Sequence, residues 1–283
     1  MILLQNLHTH STFCDGRNTP EEIVRHALSL GMDSIGFSGH SPMFYSALYK
    51  TLLKNNEGYR KEIARLKEKY KGQIHILCGL EIDMFAAEGQ ASYDYVIGSF
   101  HYFRFGEEYV LFDSSKEAVA QIIDRYFGGD GLAYAKAYYE SLATLPSLMK
   151  ADIIGHFDLI TKHSENASFF DEDSPIYRKY ALEALVALVE KNPIMEVNTG
   201  AIARGYRTTP YPSPFLLKEW HARGGEIVIS SDCHNQDFLL CAYEDAIALS
   251  RECGFDHSLV LGDHGFEAVS FDDLQKKLLK SKN

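Results

Sequence analysis

Two short pairings at opposite ends of the 283-residue chain, His8-Thr9-His10 and Asp232-Cys233-His234, each place two metal-binding side chains at i and i+2. In an extended segment such residues point the same way, so each pair can hold one ion. Between them lie Asp15, His40, Glu81, His101 and His156. Imidazole nitrogens with carboxylate oxygens suit divalent transition metals: Zn²⁺, Fe²⁺ or Mn²⁺. The five cysteines, Cys14, Cys78, Cys233, Cys241 and Cys253, are scattered without a C-x-x-C pair. They offer neither a disulfide framework nor a closed structural zinc site. A nitrogen-and-oxygen set with coordination positions left open is the arrangement of a catalytic centre.

For these ligands to meet, the chain must bring distant segments to one place. Apolar runs predict strands over residues 3–7, 33–38, 74–81, 93–100, 152–155, 194–198 and 226–231. Between them fall helix signals. Thr19, Pro20 and Glu22 form a start with a capping box and Gly31 a stop, and further helices are predicted over 56–71, 116–127, 132–149, 175–191, 214–223 and 238–251. A small strand near 109–112, a last apolar run at 259–261 and a basic helix from Asp272 complete the chain. No linker or internal repeat interrupts the alternation. It predicts one α/β barrel domain over residues 1–283, with a doubly wound open sheet as the competing architecture. Every predicted strand end but the sixth carries a potential ligand, and in a closed parallel barrel those ends converge on one mouth.

The remaining histidines divide by position. His26 and His221 fall in helices, His75 starts a strand and His257 sits in a loop, all places for structural residues, whereas His163 and His264 follow strands and could reach the mouth. Cys14 and Cys233 lie among the ligands as candidate soft ligands or nucleophiles. Competing chemistry lacks its motifs: there is no G-x-x-x-x-G-K-[ST], H-E-x-x-H or G-x-S-x-G, and the glycines of 128–131 lack dinucleotide-loop spacing. With 39 acidic against 28 basic residues the net charge is -11, which argues against a nucleic-acid footprint. The N-terminus has no basic start or cleavage site, and no run approaches the roughly 18 apolar residues of a membrane span. A cytoplasmic protein is expected.

The chain resembles the polymerase and histidinol phosphatase (PHP) superfamily. The resemblance rests on His8-Thr9-His10-Ser11, Asp15-Gly16, Gly39-His40-Ser41, Gly79-Leu80-Glu81-Ile82-Asp83, Gly98-Ser99-Phe100-His101, the stretch from Ile154 to Ile160, and Ser231-Asp232-Cys233-His234. Within it, Gly155 to Ile160, Glu196-Val197-Asn198-Thr199 and Tyr211-Pro212-Ser213 look most like the monofunctional histidinol-phosphate phosphatases. It implies a distorted (β/α)7 TIM-like barrel with two or three divalent ions. It further implies one ion on His8, His10, Glu81 and Asp232, a second on Glu81, His101 and His156, and a third on Asp15, His40 and His234. Glu81, Asp232 and His234 become the catalytic candidates.

Such a centre is electropositive inside an acidic protein, which favours a small phosphate monoester over nucleic acid or membrane partners. The implied chemistry is in-line attack on phosphorus by a hydroxide bridging two ions, its pKa lowered towards about 7. Arg204 and Arg207, after the sixth strand, are phosphate-clamp candidates because guanidinium forks match phosphate geometry; Lys162 and His163 are additional ones. Phe13, Phe44, Phe103 and Tyr206 fall in predicted mouth loops. The rival readings are a related phosphoesterase for nucleotides or phosphotyrosine, a non-catalytic metal-binding module, and a C–N hydrolase of amidohydrolase type.

Overall fold

The computed structural model describes residues 2–42, 55–86 and 93–281. Phe44 lies outside the described residues. In chain order the strands are β1 (Gln5–Asn6), β2 (Ser34–Phe37), β3 (His75–Asp83), β4 (Tyr95–Ser99), β5 (Tyr102–Phe105), β6 (Glu108–Leu111), β7 (Ile153–Ile154), β8 (Ile194–Asn198), β9 (Glu226–Ser230), β10 (His257–Gly262) and β11 (Gly265–Ser270). Seven of them form one parallel sheet in the order β1-β2-β3-β4-β7-β8-β9. The sheet nearly closes on itself just beyond β1 and β9. There the His10 N–H donates to the Cys233 carbonyl at 2.8 Å and the Cys233 N–H to the His8 carbonyl at 3.0 Å. The result is a distorted seven-stranded barrel with helices outside.

Period-two alternation sorts each strand into levels. On the inner face Leu77, Tyr95, Ile97, Ile153, Ile194 and Val228 fill the lumen with Leu7 and Leu261. Two to four residues further along the same strands, on the same face, come Glu81, Ser99, Glu196 and Ser230. An apolar plug therefore lies under a polar mouth. Tyr95 is the largest part of the plug, and Gly79 makes room for it: a Cβ there would lie 2.2 Å from Tyr95 Cζ. The phenol donates to the Leu7 carbonyl. The opposite strand faces pack against the helices in the main core.

Several elements differ from expectation for local reasons. The first strand is shorter than 3–7 because Leu3 and Leu4 donate their N–H groups to Asp33 Oδ2, both at 3.0 Å. The helix expected over 132–149 runs only over Gly131–Leu142, followed by a short turn at Leu145–Leu148. Pro146 supplies no N–H and starts a new turn. The helix expected over 238–251 starts at Tyr243, after a 3₁₀ turn at Gln236–Phe238 that Asn235 caps. The first helix, Pro20–Ser29, carries the expected capping box.

The 259–261 run belongs to an antiparallel hairpin, β10 with β11, that closes the barrel floor. Leu261 enters the lumen and exchanges two hydrogen bonds with the Gln5 amide, at 2.7 and 2.9 Å. Burying that leucine contributes about 2 kcal/mol. Its turn sits against the start of β3, where His75 Nε2 lies 3.2 Å from Asp263 Oδ1. His264, expected as a residue able to reach the mouth, is therefore exposed at the opposite end. No helix among the described residues is long and apolar enough to cross a membrane.

Candidate metal centre and active site

Glu81, at the mouth end of β3, is the hub. Its Oε2 lies 2.7 Å from His40 Nδ1, 3.4 Å from His8 Nε2 and 3.5 Å from His10 Nε2. Its Oε1 lies 3.0 Å from His156 Nε2 and 3.4 Å from His101 Nε2. Asp232, just past β9, puts Oδ1 3.3 Å from His10 Nε2 and 3.6 Å from His8 Nε2. Asp15 puts Oδ1 3.4 Å from His10 Nδ1, and Oδ2 3.2 Å from His234 Nε2 and 3.5 Å from His40 Nε2. All nine sequence-derived ligands thus gather at one mouth.

Three groupings have the compactness of a metal site: His8, His10 and Asp232; His40, Glu81 and His101; and His10, Asp15, His40 and His234. They differ from the implied partition in that Glu81 stands outside the first group, His40 and His10 each stand between two groups, and His156 meets the second group only through Glu81. Four buried atoms here make no hydrogen bond of acceptable geometry: His8 Nε2, His10 Nε2, Asp15 Oδ1 and Glu81 Oε2, the last despite its 2.7 Å approach to His40 Nδ1. Such orphans cost roughly 1–3 kcal/mol each when left unpaired. Their facing nitrogens and oxygens fit divalent cations.

The electrostatics prepare the same role. Burial works against a charge on Glu81, but His40, His8 and His101 outweigh it and hold the carboxyl well below its usual range. Asp232 is held low in the same way, burial being outweighed by Arg204 and His8. Burial and the adjacent His234 and His40 push His10 down to about 3, which keeps it neutral with a lone pair for a metal. Its ring stacks on that of His234 at 4.0 Å. Asp232 has φ +46°, a left-handed conformation uncommon for a non-glycine residue, and strain of this kind clusters at working sites.

A supporting layer orients the ligands, and here the structure adds what the sequence analysis missed. Glu196, on the one strand whose end offered no ligand, is fully buried and accepts from the Ser230 hydroxyl, the His156 N–H at 2.9 Å and the Asn198 amide at 2.8 Å; its Oε1 also lies 2.6 Å from His8 Nδ1. A carboxylate on Nδ1 fixes the tautomer that leaves Nε2 free for a metal. Asp83 lies two residues past Glu81. It accepts the His101 N–H at 2.9 Å and lies 3.4 Å from that ring's Nδ1. Ser99 donates to Glu81 Oε1 at 2.7 Å. Spacing carried a signal for both acids, since each shares its strand's inward face.

The proposed substrate contacts separate. Arg204 lies at the cluster: Nη2 donates to Asp232 Oδ2 at 2.9 Å and Nη1 lies 3.2 Å from His234 Nδ1. Arg207 does a different job. It is buried, and it donates to the Thr161 carbonyl and hydroxyl and to Thr209 Oγ1, bracing one loop against another. His163 Nε2 lies 2.8 Å from the Ser114 carbonyl, which ties the ring to the neighbouring loop. Lys162 donates to Asp113 Oδ1 at 2.6 Å. Burial opposes the charge on Asp113, but Lys162 and His101 hold its pKa at about 2. No motif singled out Asp113. Phe103 belongs to a buried aromatic cluster with Phe100 and Phe112, not to a mouth wall, while Phe13 packs edge-on against Tyr59. The two thiols are poor nucleophiles: burial pushes Cys14 up and Cys233 to about 12.

A parallel barrel with such a mouth has the architecture of a metal-dependent hydrolase. The chain belongs to the PHP domain family, whose model matches residues 6–200. It is 29% identical over 269 residues to a protein of Deinococcus radiodurans named probable histidinol-phosphatase, covering 90% of this chain and 95% of that one. It is 26% identical over 263 residues to the histidinol-phosphatase of Bacillus subtilis, covering 84% and 96%. Its fold is shared with the crystal structure of histidinol phosphate phosphatase from Lactococcus lactis complexed with Zn, L-histidinol and phosphate. That match has a TM-score of 0.71 at 20% identity and covers 94% of this chain and all of the other.

Proposed function

We propose that the chain is a cytoplasmic, metal-dependent phosphomonoesterase that hydrolyses L-histidinol phosphate to L-histidinol and phosphate in histidine biosynthesis. The observation that carries this reading is the gathering of eight candidate nitrogen and oxygen ligands in three groups, with His156 joining through Glu81, at one mouth beside the Arg204 guanidinium. The near full-length relatives named histidinol-phosphatase support the substrate. We take residues 1–283 as one barrel domain, since the C-terminal hairpin supplies part of the lumen.

The residues have distinct tasks. His8, His10 and Asp232 would hold one ion, Glu81 with His101 and His156 a second, and Asp15, His40 and His234 a third, with Glu81 shared; zinc, iron and manganese all suit these donors. When bound, such ions supply Lewis acidity towards phosphoryl oxygens and make water more acidic. Arg204 keeps N–H donors on Nε and Nη2 beyond those that Asp232 takes, enough to grip a phosphoryl oxygen. Asp232 touches both His10 and Arg204, and so couples the ligand set to that grip. His234 backs the same guanidinium. The apolar plug under Glu81 excludes bulk water from below.

The test is phosphate release by metal-reconstituted protein from L-histidinol phosphate, p-nitrophenyl phosphate, a mononucleotide and a phosphotyrosine peptide. A kcat/KM for histidinol phosphate at least about 100-fold above the others, about 2.7 kcal/mol, is expected. Equal slow rates on all four would remove the substrate assignment. Absence of release from every ester would remove the phosphatase.

A further inference from the structure

Three loops meet beside the ligand cluster. Lys162, after β7, reaches Asp113, after β6, and its ammonium lies 4.5 Å over the ring of Tyr206, two residues beyond Arg204. His163 pins the same junction through the Ser114 carbonyl and sets its ring edge-on to Tyr206 at 5.5 Å. Asp113 is the unusual member. It belongs to none of the metal-ligand groupings, yet the N–H of its neighbour Phe112 donates to the His101 carbonyl at 3.0 Å, which sets the start of this loop beside a candidate ligand. Lys162 occupies Oδ1, no other hydrogen bond is made by the side chain among the described residues, and the side chain is 30% exposed. A carboxylate has about four lone-pair positions, so one ammonium does not exhaust it.

The substrate's own chemistry asks for such a group. In an amino-alcohol phosphate the ammonium sits on the carbon next to the one bearing the ester oxygen. The site must therefore meet a dianion and a cation side by side. Arg204 and the metal ligands serve the first, and a cation would be repelled there unless an anion stood beside them. We propose that Asp113 and Tyr206 form the leaving-group subsite, in which the Asp113 carboxylate binds an ammonium on the alcohol half of the ester and the Tyr206 ring covers its apolar part. This rests on the histidinol-phosphatase reading and names the residues that recognise its alcohol.

The experiment uses full-length, metal-loaded protein and two ester pairs, each an amine against its deamino isostere: L-histidinol phosphate with imidazolylpropyl phosphate, and phosphoethanolamine with ethyl phosphate. The readout is the ratio of kcat/KM within a pair. The wild type should favour the amine of its preferred pair by about 10- to 100-fold, as for one charge-assisted hydrogen bond. In Asp113→Asn and Asp113→Ser that ratio should fall towards one, through KM for the amine. A ratio near one in both pairs for the wild type overturns the proposal, and so does an unchanged ratio in both variants. The latter outcome, with both esters slowed alike, would make Asp113 a brace for Lys162. If only the phosphoethanolamine pair shows the ratio and its collapse, the substrate reading fails while the Asp113 assignment stands.

Discussion

Replacing Glu196 with glutamine tests whether the layer beneath the ligands controls the metal. The two side chains have the same shape, but glutamine swaps one oxygen for an NH₂. Three of the four partners of Glu196 constrain that swap, whereas the Ser230 hydroxyl can turn to accept. With the NH₂ at the Oε2 position it would confront the His156 N–H and the Asn198 amide, and Asn198 cannot flip without giving up its own acceptance of the Gly200 N–H at 2.8 Å. With the NH₂ at the Oε1 position it would donate to His8 Nδ1, moving the ring proton to Nε2. That proton removes the lone pair a metal needs. Losing a buried hydrogen bond to a charged group costs about 1.5–3 kcal/mol, and such supporting contacts are worth roughly 10- to 100-fold in metal affinity. The assay is metal content after dialysis against graded chelator, read beside the thermal midpoint and the metal dependence of kcat. We expect Glu196→Gln to release metal at about 10- to 100-fold lower chelator strength while remaining folded. Wild-type retention with unchanged kcat/KM would refute the tautomer argument.

Other perturbations probe separate parts of the molecule. Glu81→Ala should abolish activity with the barrel still folded by circular dichroism; near-full activity would show that Glu81 does not join the ligand groups. Arg204→Ala should lower kcat/KM about 100-fold, mostly in kcat, and an effect within twofold would remove it from phosphate binding. Gly79→Ala drives a methyl into Tyr95 and should cost about 1–3 kcal/mol in urea unfolding; an unchanged midpoint would mean that the plug is loosely packed. His257 is raised above its ordinary 6.5, since burial is outweighed by Asp256 and Glu226, at 2.6 and 2.7 Å. Its contribution is thus full below pH 6.5 and lost as pH rises through the raised value. The stability gap between wild type and His257→Gln, under about 1 kcal/mol, should close with rising pH, and a gap that widened would reverse the sign.

The gathering of the candidate ligands was legible because metal chemistry restricts residue types and a parallel barrel restricts where they fall. His8 and His10, or Asp232 and His234, need only an extended backbone to act together, and local sequence specifies that. Glu196 and Asp83 share their strands' inward faces, but nothing local says that a buried carboxylate will meet an imidazole rather than solvent. Arg204 and Arg207 lie three residues apart in one loop, and only the packing of Thr161 against that loop assigns one to the site and the other to a brace. Asp113 was invisible because its meaning comes from Lys162, 49 residues away. Helix ends failed where a tertiary or proline effect overrode the apolar pattern, as at Pro146.

The seam that closes the barrel has a consequence for biosynthesis of the molecule itself. His8 and His10 are translated more than 200 residues before the segment from Glu226 to His234 that closes the sheet beside them, and Gln5 waits longer still for Leu261. At about 5–20 residues per second, the first ligand pair spends roughly 10–45 s without its partners. During that interval the segment that pairs with residues 8–10 at the seam is not yet present. Closure of the seam therefore needs the chain through His234, and a product stalled just past His156 would keep Glu81, His101 and His156 but lack the Asp232 carboxylate that faces His8 and His10 across the seam.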